Sequence, residues 1–569
     1  MKNIKPQGKT LLAAAISIAA ISPAQAIDFY SAGIEGTFDS QVSIGSSWRV
    51  ENRNEDLTTV NTDDGGLNYS KGDAISQIFK GSHDLQLSYE NYGAFVRGKY
   101  WYDYAQSENG VNHGQTSDGL VASNGTLDDS EYDDLSKFSG AEILDAFVYG
   151  EFDVLDMPLD VRLGKQVVSW GESTFIRGGI NAINPVDVAS FRRPGAEIKE
   201  GLIPVNMAYA NLGINDSLSV EAFYQLGFQE TVIPGCGTYF TTNDYVPQGC
   251  NGVTTRAGVM PRGEDEKAKS DGQFGVAMRF VSEALGDTEF GLYAMNIHSR
   301  LPIASATISA AGALQDGSKI GYRVVYPEDT QLFGLSFATN VGSVALSGEV
   351  SHKKDVALQI EDNQLITAAL TSGPTGSGAP GSTHAAVLGI MGSSELDGMF
   401  QAAWDESIAT GETVDVNGYE KHDVTQVQVT AIKLFNQVGP IDRIVFVGEA
   451  GYTFVHEFDG DDDAVRLNTS IEDITEEAWG YRARLTSYFS DVFAGVNLSP
   501  GISFNKDVKG YAPQPGGAFS EGVERIGINV KADYMSTYTA AISYTQYSGG
   551  EDNKLADRDF ASITLGMSF

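Results

Sequence analysis

The last nine residues, Ala561-Ser562-Ile563-Thr564-Leu565-Gly566-Met567-Ser568-Phe569, alternate apolar with small or polar side chains up to a terminal aromatic ring. A period of two places Ala561, Ile563, Leu565, Met567 and Phe569 on one face of a strand. The opposite end of the chain reads as an export signal. Lys2, Lys5 and Lys9 form a positive segment, Leu11 to Ile21 is apolar, and Ala24-Gln25-Ala26 supplies a small-x-small cleavage site. The apolar run is too short for a spanning helix, which needs about 20 apolar residues. An exported chain ending in an amphipathic strand is expected to lose residues 1–26 as a signal peptide. Residues 27–569 then form one transmembrane antiparallel β-barrel of the cell outer membrane. A terminal strand closing on Phe569 has the form by which such barrels are recognised for insertion, so the barrel-assembly machinery is an expected partner. The others are the lipid bilayer and lipopolysaccharide.

The rest of the chain repeats the pattern. In Gly93 to Tyr104, Ala94, Val96, Tyr100 and Tyr102 share one face, and Arg97, Lys99 and Asp103 share the other. The same alternation runs through Leu218–Gln225, Tyr481–Phe489 and Arg525–Tyr534. A soluble barrel would turn the apolar face inward. Export reverses this, with apolar residues toward lipid and charged residues toward the lumen. Strands are predicted at 38–50, 83–90, 93–105, 143–152, 159–169, 205–213, 217–229, 272–281, 287–299, 331–340, 342–353, 423–435, 442–457, 478–490, 492–505, 523–534, 536–549 and 558–569. That is 18, with 16 as the alternative if one pair is misread. Short and long connections alternate between them, as periplasmic turns and external loops do. Trp101, Tyr102 and Tyr104, and Trp479 and Tyr481, stand where aromatic girdles are expected. The long loops are expected to need no core of their own.

The formal charge is −37, and three units more negative without Lys2, Lys5 and Lys9. Such a chain is no partner for nucleic acid. Acids cluster in predicted loops, at Asp128, Asp129, Glu131, Asp133 and Asp134, and again at Asp459, Asp461, Asp462 and Asp463. They read as solvated loops or as sites where divalent cations bridge to phosphate. The second cluster has the spacing of a calcium loop, but Ala464 and Ser470 stand where Gly and Glu are required. Cys236 and Cys250 share one Gly-rich loop, and an oxidising compartment favours a disulfide between them. No second Cys pair or nearby His completes a metal site.

One stretch departs from the strand pattern. It runs Leu163-Gly164-Lys165-Gln166-Val167-Val168-Ser169-Trp170-Gly171-Glu172, then Asn181-Ala182-Ile183-Asn184-Pro185-Val186-Asp187, then Arg192-Arg193-Pro194-Gly195-Ala196-Glu197-Ile198-Lys199-Glu200. With the following strand ending Glu221-Ala222-Phe223-Tyr224-Gln225, it resembles a bacterial outer-membrane family catalogued as domain of unknown function 1302. The resemblance implies an envelope location and, more loosely, work beside a periplasmic transport partner in moving apolar compounds. It brings no established activity.

Gly171, Gly178, Gly179 and Gly195 permit unusual backbone angles, and Pro185 and Pro194 stiffen the segment. Asn184-Pro185-Val186-Asp187 reads as a turn or a helix start. Arg192 and Arg193 offer fixed donors to carboxylates. A barrel of 16–18 strands otherwise leaves an open channel. Residues 170–204 are therefore expected to fold inward as a constricting loop, through Trp170, Glu172, Asn184, Asp187, Arg192, Arg193, Glu197 and Lys199. The lumen-facing residues expected are Arg97, Lys99, Arg162, Glu221, Arg482, Arg484, Arg525 and Lys531, with Arg279, Glu151, Glu289, Glu349, Glu449 and Asp533 beside them. Neither sign dominates, so no strong ion selectivity follows.

No nucleophile elbow, phosphate loop or dinucleotide fingerprint appears in its required setting, so neither catalytic residues nor cofactors are expected. His352, His422 and His456 can share one rim, with His298 elsewhere on it, and ordinary solvated His is the better reading than a metal site. The sequence thus points to a channel for small apolar or amphiphilic compounds, narrowed by its own loop. The competing reading is a plugged structural barrel that works through its acidic external loops.

Overall fold

The structure, a computed structural model, describes residues 27–569 except 59–60, 63, 116–124, 256–257, 313, 315–318, 372–393, 459–466 and 468–473. The expected signal peptide and the acidic cluster at 459–463 lie outside the described residues.

Alternating sequence gives a closed antiparallel wall. A short strand β1 (Ile27–Ser31) folds back on β2 (Ile34–Arg49). The wall continues through β3 (Ala74–Tyr89), β4 (Tyr92–Asp103), β5 (Ser139–Val154), β6 (Met157–Gln166), β7 (Val205–Asn215) and β8 (Leu218–Gln225). Two short strands in the next connection, β9 (Gly252–Thr255) and β10 (Gly258–Pro261), pair with each other. The wall resumes with β11 (Phe274–Ser282) and β12 (Thr288–Ile297). Further along, β13 (Ile303–Ile308), β14 (Ile320–Val325) and β17 (Val414–Val416) form a separate small sheet. Wall strands β15 (Thr330–Val341), β16 (Val344–Gln359), β18 (Tyr419–Val438), β19 (Ile441–Val455), β20 (Glu477–Phe493), β21 (Val496–Lys509), β22 (Glu524–Tyr534), β23 (Tyr538–Ser548) and β24 (Phe560–Ser568) complete the circuit.

Each wall strand pairs with the next, and β24 pairs back onto β2 from Gln41↔Ser568 to Arg49↔Phe560. Setting aside β1, which only extends β2, eighteen strands close the barrel. This settles the count in favour of 18 over 16. The backbone of Phe569 adds a last rung, its N–H donating to Ser40 O at 2.8 Å.

The pleat sorts the side chains as expected. Val276, Met278 and Phe280 on β11, Phe333 and Leu335 on β15, and Ile563 and Leu565 on β24 are exposed on the outer surface. Their neighbours Ala277, Ser336 and Glu349 are buried toward the interior. A contiguous outward apolar belt of this kind is the surface that lipid covers. Trp479 and Tyr481 belong to that outer face, each 38% exposed. Trp101 corrects the girdle reading. It points inward, is 4% exposed, and donates its indole N–H to Lys137 O at 2.7 Å.

The long connections also differ from expectation, because they bury cores of their own. Strand β13 is buried along its whole length. With helices Asp362–Thr371 and Ser394–Thr410 it gathers Ile308, Ile360, Leu396, Phe400 and Trp404 into one cluster. Burial of each large side chain here contributes about 1.5–3 kcal/mol, which offsets the ordering entropy of long loops. Tyr245 donates its hydroxyl to Asp362 and so ties a second loop to this cluster. Burial, aided by that carboxylate, pushes the phenol well above its ordinary range, so it remains a donor. A second cluster surrounds the disulfide Cys236–Cys250, whose Cα atoms are 5.4 Å apart. Tyr132 donates to Cys236 O beneath it. Replacing both cysteines by serine is expected to cost roughly 3 kcal/mol on the loop-closure estimate. Limited proteolysis should then cut between residues 226 and 273 while the wall stays intact.

The acidic group at 128–134 organises its own turn. Asp129 accepts from Phe138 N at 2.8 Å and Asp133 from Leu135 N at 2.9 Å. Among the described residues no group of three or more His, Cys, Asp or Glu is placed to hold a metal.

Candidate lumen site

The segment between β6 and β7 is the stretch that departs from the strand pattern, and its hydrogen bonds show where it runs. Asn184 staples its base: Oδ1 accepts from Val168 N at 2.9 Å, and Nδ2 donates to Gln166 O and Ile203 O at 3.2 and 2.9 Å. Trp170 is fully buried between Phe223 and Tyr293, with ring centroids 5.1 and 5.9 Å away. Its indole N–H donates to Glu221 Oε2 at 2.7 Å. Tyr209 and Arg279 donate to the same carboxylate, at 2.9 and 2.7 Å. A buried carboxylate with three donors is a fixed anchor rather than a mobile charge.

Beyond the anchor the backbone hangs from two more carboxylates. Glu349 on β16 accepts from Glu172 N at 2.5 Å, Ile180 N at 2.8 Å and Gln428 Nε2 at 2.6 Å. Glu449 on β19 accepts from Thr174 N, Phe175 N and Ile176 N at 2.8, 2.6 and 2.7 Å, and from Thr430 Oγ1 at 3.1 Å. Both glutamates are 3% exposed or less. The close approach explains two glycines. A Cβ on Gly179 would fall 1.9 Å from Glu349 Oε1, and Gly171 has φ +86° as well as a Cβ position 2.4 Å from Oε2. Gly178 and Gly195 adopt positive φ as expected, whereas Gly179 does not.

The segment then returns along the opposite arc of the wall. Asp187 caps helix Val188–Arg192, accepting from Ser190 N at 2.7 Å, and pairs with Lys99 Nζ at 2.9 Å. Lys99 also donates to Ser190 Oγ and Glu200 O. Lys80 pairs with Glu200 at 2.5 Å and donates to Gly195 O. Glu197 accepts from Gln41 Nε2 at 2.5 Å and lies 3.6 Å from Lys199 Nζ. Arg177 reaches Gly517 O at 2.6 Å, in the connection after β21. In the ring of eighteen that connection lies across from β6 and β7, so the segment crosses the interior.

Arg192 and Arg193 correct the expectation that they would bind carboxylates. Arg192 donates to the Tyr547 hydroxyl at 2.8 Å and stacks 4.5 Å over Phe240. Arg193 donates to Leu135 O and Lys137 O and stacks 4.6 Å over Trp101.

The wall positions read from the alternation sit as follows. Arg97 forms a bidentate pair with Asp84, both contacts 2.8 Å, and reaches Asp145 at 3.3 Å. Arg162 stacks over Tyr209 and Phe147 at 5.1 and 5.9 Å. Arg482 pairs with Asp507 at 2.6 Å. Arg525 takes the Asn505 carboxamide oxygen at 2.6 and 2.9 Å when that amide is turned toward it. Arg484 and Lys531 are exposed, and the pleat sets them opposite the outward Leu485 and Val530. The sequence reading missed Arg177, although its flanking Gly178 and Gly179 were a signal that the backbone there approaches something closely.

The histidines come together only in part. His352 Nδ1 and His456 Nε2 lie 2.9 and 2.8 Å from Thr425 Oγ1, with ring centroids 5.4 Å apart. His422 Nδ1 reaches His456 O at 3.4 Å. His298 is buried elsewhere, its ring 2.9 Å from Asp271 O and accepting from Asp329 N at 3.1 Å.

A closed wall of eighteen strands, apolar outside and carrying an ordered segment across its interior, defines a transmembrane β-barrel of the outer-membrane type. The chain belongs to the family described as protein of unknown function (DUF1302), whose model matches residues 7–569. No curated protein matches the sequence. Among solved structures it is similar to OccAB4 of Acinetobacter baumannii, at 10% identity and TM-score 0.41, over 94% of this chain and 97% of that one. It is also similar to the outer membrane channel DcaP of the same organism, at 11% identity and TM-score 0.36, over 95% and 99%. Pseudomonas aeruginosa OccK9 (OpdG) follows at 9% identity and TM-score 0.40, over 94% and 97%.

Proposed function

We propose that the protein is a passive conduit of the outer membrane for small apolar or amphiphilic compounds, and that residues 170–204 narrow its passage. The observation that carries this reading is the path of that segment. It is held to Glu221, Glu349 and Glu449 on one arc and to Lys80 and Lys99 on the other. The interior between β4 and β7 supports the choice of solute. Phe95, Phe147 and Tyr149 form a run of rings, with centroids 5.6 and 6.4 Å apart. Arg97 and Arg162 stack on it. Such a surface offers both apolar area and charge to a passing amphiphile. Handover to or from a periplasmic protein belongs to the same proposal, as does the absence of catalysis.

Single-channel conductance in planar bilayers tests it, on the intact protein and on a form lacking residues 172–198. A small conductance that rises severalfold on deletion is the expected result. No conductance in either form would defeat the conduit. The reading favoured instead would be a plugged interaction barrel, which the ordered core around Phe400 and Trp404 supports.

A further inference from the structure

The wall opposite β6 and β7 carries an unusual concentration of positive charge for so acidic a chain. Arg482 on β20, Asn505 on β21, Arg525 on β22 and Tyr547 on β23 are successive partners in one row across four strands. Two arginines of the crossing segment arrive at this row. Arg177 and Arg482 donate to the consecutive carbonyls Gly517 O and Ala518 O, at 2.6 and 2.9 Å. Arg192 donates to the hydroxyl of Tyr547, the register partner of Arg525. Four guanidinium groups therefore gather on one face of the interior.

Among the described residues only one carboxylate answers them. Asp507 pairs with Arg482 and also accepts from Ser520 N at 3.0 Å. Among the described residues Arg177, Arg192 and Arg525 form no ion pair. Arg177 and Arg525 are nonetheless exposed to interior solvent. Three cations held close by neutral oxygens repel one another, and a polar interior screens this less than bulk water does. Guanidinium forks match a carboxylate or another oxyanion in a bidentate way, and such a ligand relieves the repulsion. A purely structural tether would not need charge, because the acceptors of Arg177 and Arg192 are uncharged oxygens.

We infer that Arg177, Arg192, Arg482 and Arg525 form a binding station for the carboxylate of an organic solute, on the face where the crossing segment meets the wall. The inference deepens the conduit reading, since it gives the amphiphile an acidic head. Its test does not depend on conduction. Calorimetric titration of the full-length protein in detergent would compare benzoate, the neutral benzyl alcohol and inorganic phosphate. Benzoate is expected to bind and benzyl alcohol not to bind. R177Q/R525Q should weaken benzoate by about tenfold or more, as loss of two charge-assisted contacts implies. R525Q alone, which keeps a side-chain amide beside Asn505, should weaken it less and guards against misfolding of the double variant. R484Q, on the same wall but outside the cluster, should leave it unchanged. Equal binding of benzoate and benzyl alcohol, or benzoate affinity indifferent to R177Q/R525Q, would overturn the inference. Phosphate binding as tight as benzoate would also overturn it, because the station would then serve inorganic oxyanions. Benzoate binding in a protein that shows no conductance would leave the station standing and remove the conduit.

Discussion

Replacing Glu349 and Glu449 together by alanine is expected to enlarge and destabilise the single-channel current, as deletion of the whole segment should. The two carboxylates accept from five backbone N–H groups of residues 172–180. Stranding a buried donor costs about 1–3 kcal/mol, so stranding all five donors exceeds what the segment can bear in place. Interior water can solvate those groups once the segment swings away, so the segment rather than the wall should yield. Heat-modified migration in gels should still report a closed barrel, while the open-state current rises severalfold with added noise. Glutamine at each position keeps one acceptor oxygen and should give an intermediate current. An unchanged current in the double alanine variant would show that this segment does not set the width of the passage.

Arg49→Ala is expected to be the most damaging single substitution in the wall. Arg49 is fully buried on β2, where the barrel closes on β24. Its guanidinium donates to Gly66 O, Tyr69 O, Asp557 O and Asp557 Oδ2, at 3.0, 2.9, 3.1 and 2.6 Å. Its Nε donates to Glu51 O at 3.0 Å. Removal leaves a buried carboxylate with one cation fewer and four carbonyls unmet, a change that costs about 3–5 kcal/mol. Asp557 keeps Arg558 at 2.9 Å, which places the expected loss toward the lower end of that range. Lysine should not rescue, since a single ammonium cannot reach acceptors spread around a planar fork. Denaturant unfolding of the refolded barrel provides the measurement. A midpoint shift worth less than about 0.5 kcal/mol, the usual size for a surface change, would contradict this account.

How much of this could be read beforehand follows from where each residue stands relative to lipid. The strands showed because lipid on one side and water on the other impose a period of two. That is why Val276, Met278 and Phe280 and their counterparts gave both the number of strands and their facing. The period fails where both faces are covered by protein. Ala74 to Ser82 belong to β3, and Ile75 and Ile78 are both buried although three positions apart, so the strand start was set too late. Trp101 was misplaced for the same reason, as an aromatic ring near a strand end is equally at home on lipid or under a loop. The crossing segment was visible as a break in pattern, with its Gly and Pro content. Its anchors were not, because Glu221, Glu349 and Glu449 look like any inward acid until the register sets the backbone N–H groups beside them. The four-arginine cluster combines residues from positions 177 to 525, and no local spacing announces it. The loop cores around Trp404 and Cys236 went unforeseen, since irregular segments bury apolar residues without any period.

The crossing segment also acts on the seam of the wall. Pro194 and Gly195 lie against Gly45 on β2 and Thr564 on β24, the two strands whose union completes the cylinder. Residues 170–204 precede β24 by more than three hundred and fifty positions in the chain, yet they occupy space enclosed by it. The segment thus sits astride the join between the first and last strands of the hoop, and it ties that join to the middle of the chain. The seam is held from inside as well as by its own rungs.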